Sequence, residues 1–185
     1  MIEPPTLETE RLVLRPLTPE DGATVARLAG SREIADTTIS IPHPYSEKQA
    51  RAWIAARTSQ SSTGKEMVFG VAIRQDAQLI GAVGLREMDT EHAQAEMGFW
   101  IGVPSWGRGY ATEAARRVVR YAFEDLKLNR VYAHHMVRNP ASGRVLEKLG
   151  MKREGLLRQR VRKWGVFEDV VLLAILHDDW RQMSA

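Results

Sequence analysis

The stretch W-G-R-G-Y-A-T-E-A-A-R-R, Trp106 to Arg117, decides how this chain is read. It follows an apolar run, Met97-Gly98-Phe99-Trp100-Ile101, and leads into a long segment of helical period. A strand that feeds a glycine-rich turn into a helix N-terminus is an anion site. Unpaired amides point outward there, the helix dipole is positive, and glycine lets a phosphate approach the backbone with no Cβ in the way. Arg108 adds mobile charge. A nucleotide-triphosphatase loop is excluded, because Gly102 and Gly107 have its gap but Arg108-Gly109 follows where Lys-Ser/Thr is needed. A dinucleotide fingerprint is also excluded, since Thr112 stands where the third glycine belongs. A tight connection alone would also use such a glycine pair.

Outward from the turn, apolar residues at 111, 114, 115, 118, 119, 122, 123 and 126 predict a helix, with Arg116, Arg117, Arg120 and Glu124 on the opposite face. Arg130–Val137 reads as a strand. Asn139-Pro140 then supplies an N-cap and a proline at N1, and Gly150 closes that helix. Upstream, Met67–Arg74, Gln78–Arg86 and Ala93–Gly102 are strand-like and joined by short polar turns, so they predict an antiparallel meander. Arg11–Leu17 alternates as a half-buried strand, and Thr18-Pro19-Glu20-Asp21 opens a helix to about Ala29. Ser46 with Gln49 resembles a capping box for a second helix, ending within Ser59–Gly64. Leu156–Lys163 and Glu168–Leu176 are the last strands expected, before a short polar tail. The order β-α-α-β-β-β-α-β-α-β-β is a mixed α+β fold in one domain over residues 1–185.

Composition narrows the function. The 26 Lys+Arg face 23 Asp+Glu, a net charge of +3, too small an excess to argue nucleic-acid binding although it permits an anionic ligand. With no cysteine, disulfides, thiolate nucleophiles and Cys-ligated metals are excluded. No apolar run is long enough to span a bilayer, and Met1-Ile2-Glu3-Pro4-Pro5 does not read as a secretory signal, so the expectation is a cytoplasmic protein with no membrane partner.

From Glu96 to Gly150 the chain resembles the acetyl-CoA-binding core of the GNAT acyltransferase superfamily: the Trp106–Ala114 turn, its helix, a strand, and Asn139-Pro140-Ala141-Ser142 leading to Glu147-Lys148-Leu149-Gly150-Met151. The opening Leu7-Glu8-Thr9-Glu10-Arg11-Leu12-Val13-Leu14-Arg15 and the closing Trp164–Val170 resemble the Rim-type group, which includes acetyltransferases of ribosomal-protein N-termini. The resemblance implies a GNAT fold, a mixed and mostly antiparallel sheet flanked by helices, with strands splayed around the pantetheine of acetyl-CoA. It places the diphosphate on the amides of Gly107, Arg108, Gly109, Tyr110, Ala111 and Thr112, next to Trp106, which stands where the family usually has Gln or Arg. The pantetheine is expected near Gly102 and Val137, bonded by Asn139.

Acetyl transfer from a thioester to an amine needs a neutral amine, a stabilised carbonyl oxygen and a protonated leaving thiolate. Glu96, ten residues before Trp106, is the family-implied general base or water-relayed acceptor; Glu87 and Asp89 are the alternatives, and a solvated or salt-bridged strand residue is the structural one. A backbone N–H near Phe99, Trp100 and Ile101 is implied for the oxyanion, freed by a bulge at Gly98. The family's tyrosine acid falls at Leu146, so Ser142, one turn earlier, is the candidate; capping alone would also explain Asn139 and Ser142. Trp53, Trp164 and Glu87 are expected around the acceptor. Adjacent strand residues His134 and His135 point to opposite faces and cannot share a metal, and no metal site is expected. Arg158, Arg160 and Arg162 alternate as a docking stripe or as a charged, protected edge.

The acceptor is expected to be a primary amine, foremost a protein or peptide N-terminus. Small amines such as toxins, antibiotics or polyamines, or a CoA-binding sensor without turnover, are the alternatives. The resemblance also implies pairing into a homodimer.

Overall fold

The computed structural model describes residues 4–184; the opening Met1-Ile2-Glu3 lies outside them. One eight-stranded sheet organises the chain: β1 (Leu7–Glu8), β2 (Leu12–Arg15), β3 (Met67–Ile73), β4 (Leu79–Asp89), β5 (Gln94–Ile101), β6 (Arg130–Met136), β7 (Lys152–Lys163) and β8 (Val166–Leu176). Its spatial order is β1-β2-β3-β4-β5-β6-β8-β7. The expected meander is present, with β3, β4 and β5 antiparallel in turn. Among the described residues only β5 and β6 run parallel, as a crossover through a helix requires.

Helices cover both faces. On one, α1 (Gly22–Ala29) and α3 (Glu47–Ser62) bury Val25, Ala29, Ala50 and Ile54 against Leu17 and Leu79, while the short α2 (Arg32–Thr37) buries Ile34 and Ala35. On the other, α4 (Tyr110–Glu124) and α5 (Pro140–Lys148) close the larger core, where Ala114, Ala115, Val118, Val119, Ala122 and Phe123 meet Met97, Val131 and Ile175. The predicted caps are formed. Gln49 N–H donates to Ser46 Oγ at 3.3 Å while Ser46 N–H donates to Gln49 Oε1 at 2.9 Å, and Thr18 N–H donates to Asp21 Oδ2 at 2.8 Å.

Some expectations change. No β-bulge lies at Gly98: it pairs in register with Gly84, between Val83–Phe99 and Leu85–Met97. A bulge does interrupt β7, where Gln159 takes φ +50° and the register shifts between Leu157 and Val161. Arg158, Arg160 and Arg162 are all exposed on this edge strand, but they do not form a simple alternating stripe. β7 begins at Lys152 rather than Leu156, and the tail forms α6 (His177–Ser184), with Asp178 and Asp179 in its first turn and Trp180 packed 5.7 Å from Phe123. No helix of the described residues is long and apolar enough to cross a membrane.

Candidate active site

The parallel pairing of β5 with β6 stops after Gln94–Arg130, Ala95–Val131 and Glu96–Tyr132. Beyond it, residues 97–101 of β5 and 133–136 of β6 have no ladder between them, and the sheet opens. A cleft of about 370 Å³ passes through this gap. Gly98, Phe99, Trp100, Ala133, His134, Met136, Asn139 and Ser142 line its strand and α5 walls; Thr37–Pro42, Tyr45, Trp53 and Arg57 line the side under α1–α3. The gap itself, and not a bulge at Gly98, is what leaves backbone polar groups of β5 unpaired. A Cβ built on Gly98 meets nothing within 4 Å, so the floor there is bare.

At the apex of the gap sits Glu96, 5% exposed. Hairpin register places Arg86 directly across from it, and Arg86 Nη2 donates to Glu96 Oε1 at 2.6 Å. His134, two residues past the last β5–β6 pair and on the same face, lies with Nδ1 3.0 Å from the same oxygen. Burial raises the Glu96 carboxyl pKa, but the bonds from His134 and Arg86 outweigh it and the net shift is downward. Glu96 is therefore an ionised, paired carboxylate at neutral pH. Tyr132 stacks edge-on against His134, and its phenol is pushed up to about 12 by burial and by the charges of Glu87 and Glu96.

The glycine turn has the geometry an anion needs. Gly107 and Gly109 adopt φ +75° and +80°, and Gly109 is the N-cap of α4 with no side chain capping the helix. The turn is held from a distance. Glu113, in the first turn of α4, accepts from Thr9 Oγ1 at 2.7 Å, from the Arg11 N–H at 3.0 Å and from Arg11 Nε at 2.7 Å. Arg11 Nη1 also donates to the Arg108 carbonyl at 3.0 Å, and its guanidinium lies 4.7 Å over the Tyr110 ring. Trp106, half exposed, donates from Nε1 to the Ile101 carbonyl at 2.5 Å, fastening the end of β5 to the turn.

Asn139 caps α5, accepting at Oδ1 from the Ser142 N–H at 3.1 Å, and its Nδ2 reaches the Thr37 carbonyl at 3.4 Å. Ile101 is buried in the core rather than at the cleft, and Leu146 is fully buried. Trp53 lines the cleft. Trp164 does not: it is exposed on the β7–β8 hairpin, with Lys163 Nζ 5.3 Å from its ring. Glu87 accepts from Tyr132 Oη at 3.3 Å outside the cleft lining, and Asp89 accepts from the His92 N–H at 2.9 Å within the β4–β5 turn.

Residues 11–152 match the family model described as Acetyltransferase (GNAT) domain. The chain belongs to the GNAT acetyltransferase family. It is an N-acetyltransferase, and such enzymes use acetyl-CoA. It is 31% identical over 176 residues to the uncharacterized N-acetyltransferase p20 of Bacillus licheniformis, covering 95% of this chain and 98% of that protein. It is similar to the putative ribosomal N-acetyltransferase YdaF of Bacillus subtilis (strain 168), at 36% identity over 57% of each chain. It is also 33% identical to the spermidine N(1)-acetyltransferase of Vibrio cholerae, over 60% of this chain and 65% of that one. The Rim-type likeness and the splayed, mostly antiparallel sheet are thus both found in this acetyltransferase.

The sequence reading missed Arg86, His134, Thr9 and Glu113 as parts of the site. Arg86 carried a signal. A β4–β5 hairpin centred on residue 91 pairs residues whose numbers sum to 182, which puts Arg86 opposite Glu96 and Gly84 opposite Gly98. Thr9 and Arg11 reach Glu113 across about a hundred residues, and no local pattern announces that contact.

Proposed function

We propose that this acetyltransferase moves the acetyl group of acetyl-CoA to the α-amine of a peptide or protein, by direct attack with both substrates bound. One observation carries the reading: a single cleft runs through the β5–β6 gap, open on one side to the Asn139–Ser142 wall and on the other to the aromatic and loop residues under α1–α3. Thioester and amine can meet there. The chain has no cysteine, so no thiol is available to carry an acetyl-enzyme.

In this reading the amides of Gly107–Thr112 and Arg108 bind the diphosphate, Trp106, Phe99 and Trp100 border the arm, and Asn139 bonds the pantetheine amide. The nitrogen–carbon bond forms and the carbon–sulfur bond breaks. Negative charge that develops on the carbonyl oxygen meets a β5 N–H left unpaired by the gap. The nitrogen loses one proton as the amide forms and the leaving thiolate gains one from the Ser142 hydroxyl, which the proton released by the nitrogen restores.

Two arguments favour an α-amine. An α-amine of pKa about 8 is roughly 10% neutral at pH 7, whereas a lysine amine near 10.4 is about 0.04% neutral. The cleft's carboxylates, Glu66 and Glu96, are each already faced by an arginine, Arg57 and Arg86, so the walls offer a polycation no free anionic pair. The likeness to the putative ribosomal N-acetyltransferase agrees; the likeness to the spermidine enzyme names the rival. The test is thiol release and mass shift with three acceptors: a short peptide with a free N-terminus and no lysine, its N-blocked counterpart carrying lysine, and spermidine. Acetylation of the first alone is expected. Turnover of spermidine with the free peptide inert would overturn the α-amine reading.

A further inference from the structure

Acetyl transfer to an amine needs a group that takes the proton from the attacking nitrogen. We propose that His134 Nε2 is that proton acceptor and that Glu96 acts through it, as the positioning residue that fixes the imidazole; this rests on the α-amine reading above.

The geometry dictates the tautomer. A carboxylate can only accept a hydrogen bond, so Nδ1 of His134, 3.0 Å from Glu96 Oε1, must carry the proton. In the neutral ring Nε2 is then the atom left with a lone pair. His134 lines the cleft with its side chain 17% exposed, and like Gly98 it stands two residues past the Glu96–Tyr132 pair, on the same face. An amine resting on the bare floor at Gly98 approaches the imidazole from the open side of the gap. Arg86 pins the carboxylate from β4, so the three groups form a chain from guanidinium to carboxylate to imidazole across β4, β5 and β6.

The competing groups are poorly suited. Glu96 Oε1 already accepts from two donors, and a carboxylate held ionised by an arginine is a weak base. Tyr132, pushed up to about 12, stays protonated at neutral pH. Imidazole is the side chain whose ordinary pKa lies nearest neutrality, which suits a general base working there. The charged and titratable groups facing His134 are Glu96 from β5, Arg86 from β4 and Tyr132 beside it on β6. The Arg57–Glu66 pair lies across the cleft, and the β8 neighbour, Leu172, is apolar. The first proton passes from the acceptor's ammonium to Nε2, leaving a neutral amine to attack, and the imidazolium releases it to solvent; the second, lost as the amide forms, balances the one the thiolate takes up.

Two substitutions separate the roles. His134→Asn keeps a donor near the Nδ1 position and removes Nε2. With acetyl-CoA and the lysine-free peptide, it is expected to lower kcat about 10²- to 10⁴-fold, with CoA affinity unchanged and the acidic limb of the kcat/KM profile lost. Glu96→Gln still accepts from Nδ1 but removes the anion. Its acidic limb is expected to persist. If Glu96→Gln instead abolishes the limb while His134→Asn retains it, the assignment is overturned. The ring ¹⁵N spectrum of the wild-type protein gives a readout that needs no acceptor. Protonated Nδ1 with bare Nε2 in the neutral ring is expected, and the Nε2–H tautomer would refute the proposal even if peptides are acetylated. Absence of turnover on every acceptor beside the expected tautomer would instead remove the α-amine reading.

Discussion

Glu113 offers a sharp perturbation, because one carboxylate ties the N-terminal strap to the turn at the head of α4. Its oxygens accept from the Thr9 hydroxyl, the Arg11 amide and the Arg11 guanidinium, at 2.6 to 3.0 Å. Charge-assisted bonds contribute about 1.5–3 kcal/mol each where well buried. Here Glu113 is 18% exposed but Arg11 is 45% exposed, so solvent screening discounts the arginine share heavily. Glu113→Gln, which keeps the shape and one acceptor, is therefore expected to cost about 1–2 kcal/mol, a fall in Tm of roughly 2–8 °C for a chain of this size. The pH dependence follows from the direction of the shift. Burial raises the Glu113 pKa, but Thr9 and Arg11 outweigh it and the native value lies below the ordinary one. Its contribution is complete above the unfolded carboxyl value and fades as pH falls through the native value. Differential scanning calorimetry of both proteins should show the Tm gap at pH 7 and its closure at acid pH. Because Arg11 also holds the Arg108 carbonyl, calorimetric affinity for CoA should weaken several-fold in the variant. An unchanged Tm and unchanged CoA affinity at pH 7 would refute the strap.

Other outcomes follow from neighbouring features. Gly109→Ala, at φ +80°, should cost about 1–2 kcal/mol by thermal melting and weaken CoA binding, whereas Gly98→Ala, with open space around its Cβ, should leave Tm within about the equivalent of 0.5 kcal/mol and raise only the acceptor KM. Arg86→Met leaves buried Glu96 without its cation and should destabilise by about 3 kcal/mol in urea titration, with restoration when Glu96→Gln is added. Leu146→Ala, in the filled core under α5, should cost about 2–5 kcal/mol by the same titration while leaving the pH profile of turnover unchanged.

What could be read in advance was what local chemistry dictates. The α4 helix was legible because its apolar residues repeat every three to four positions, and Ala114, Ala115, Val118, Val119, Ala122 and Phe123 are buried as that period requires. Ser46–Gln49 and Asn139–Ser142 were legible because a cap is a contact between residues three apart. By contrast, α2 is six residues with only Ile34 and Ala35 buried, too short to show a period. The insertion of β8 between β6 and β7 depends on which edges remain open after the meander folds, a property of the assembled sheet. The same limit applied to the site. Glu96 was singled out by its place before the turn, but its bonds to Arg86 and His134 arise from two different strand pairings. The opposite-face rule set His134 aside as a metal ligand and gave no reason to look for its carboxylate partner. Trp164, expected at the acceptor, sits exposed in the tight β7–β8 turn, where it takes φ +48° beside Gly165 at φ +88°.

The short seam between β5 and β6 has a mechanical consequence. Three residue pairs stitch two plates of sheet, one built on the meander and the other on the β6–β8–β7 group, so the backbone joint between them is narrow. A chain-like ligand that lays amide groups into the slit would act as a substitute strand and stiffen that joint. Amide exchange along 97–101 and 133–136 would then slow on binding, and the enzyme would become most rigid at the moment its two substrates are side by side.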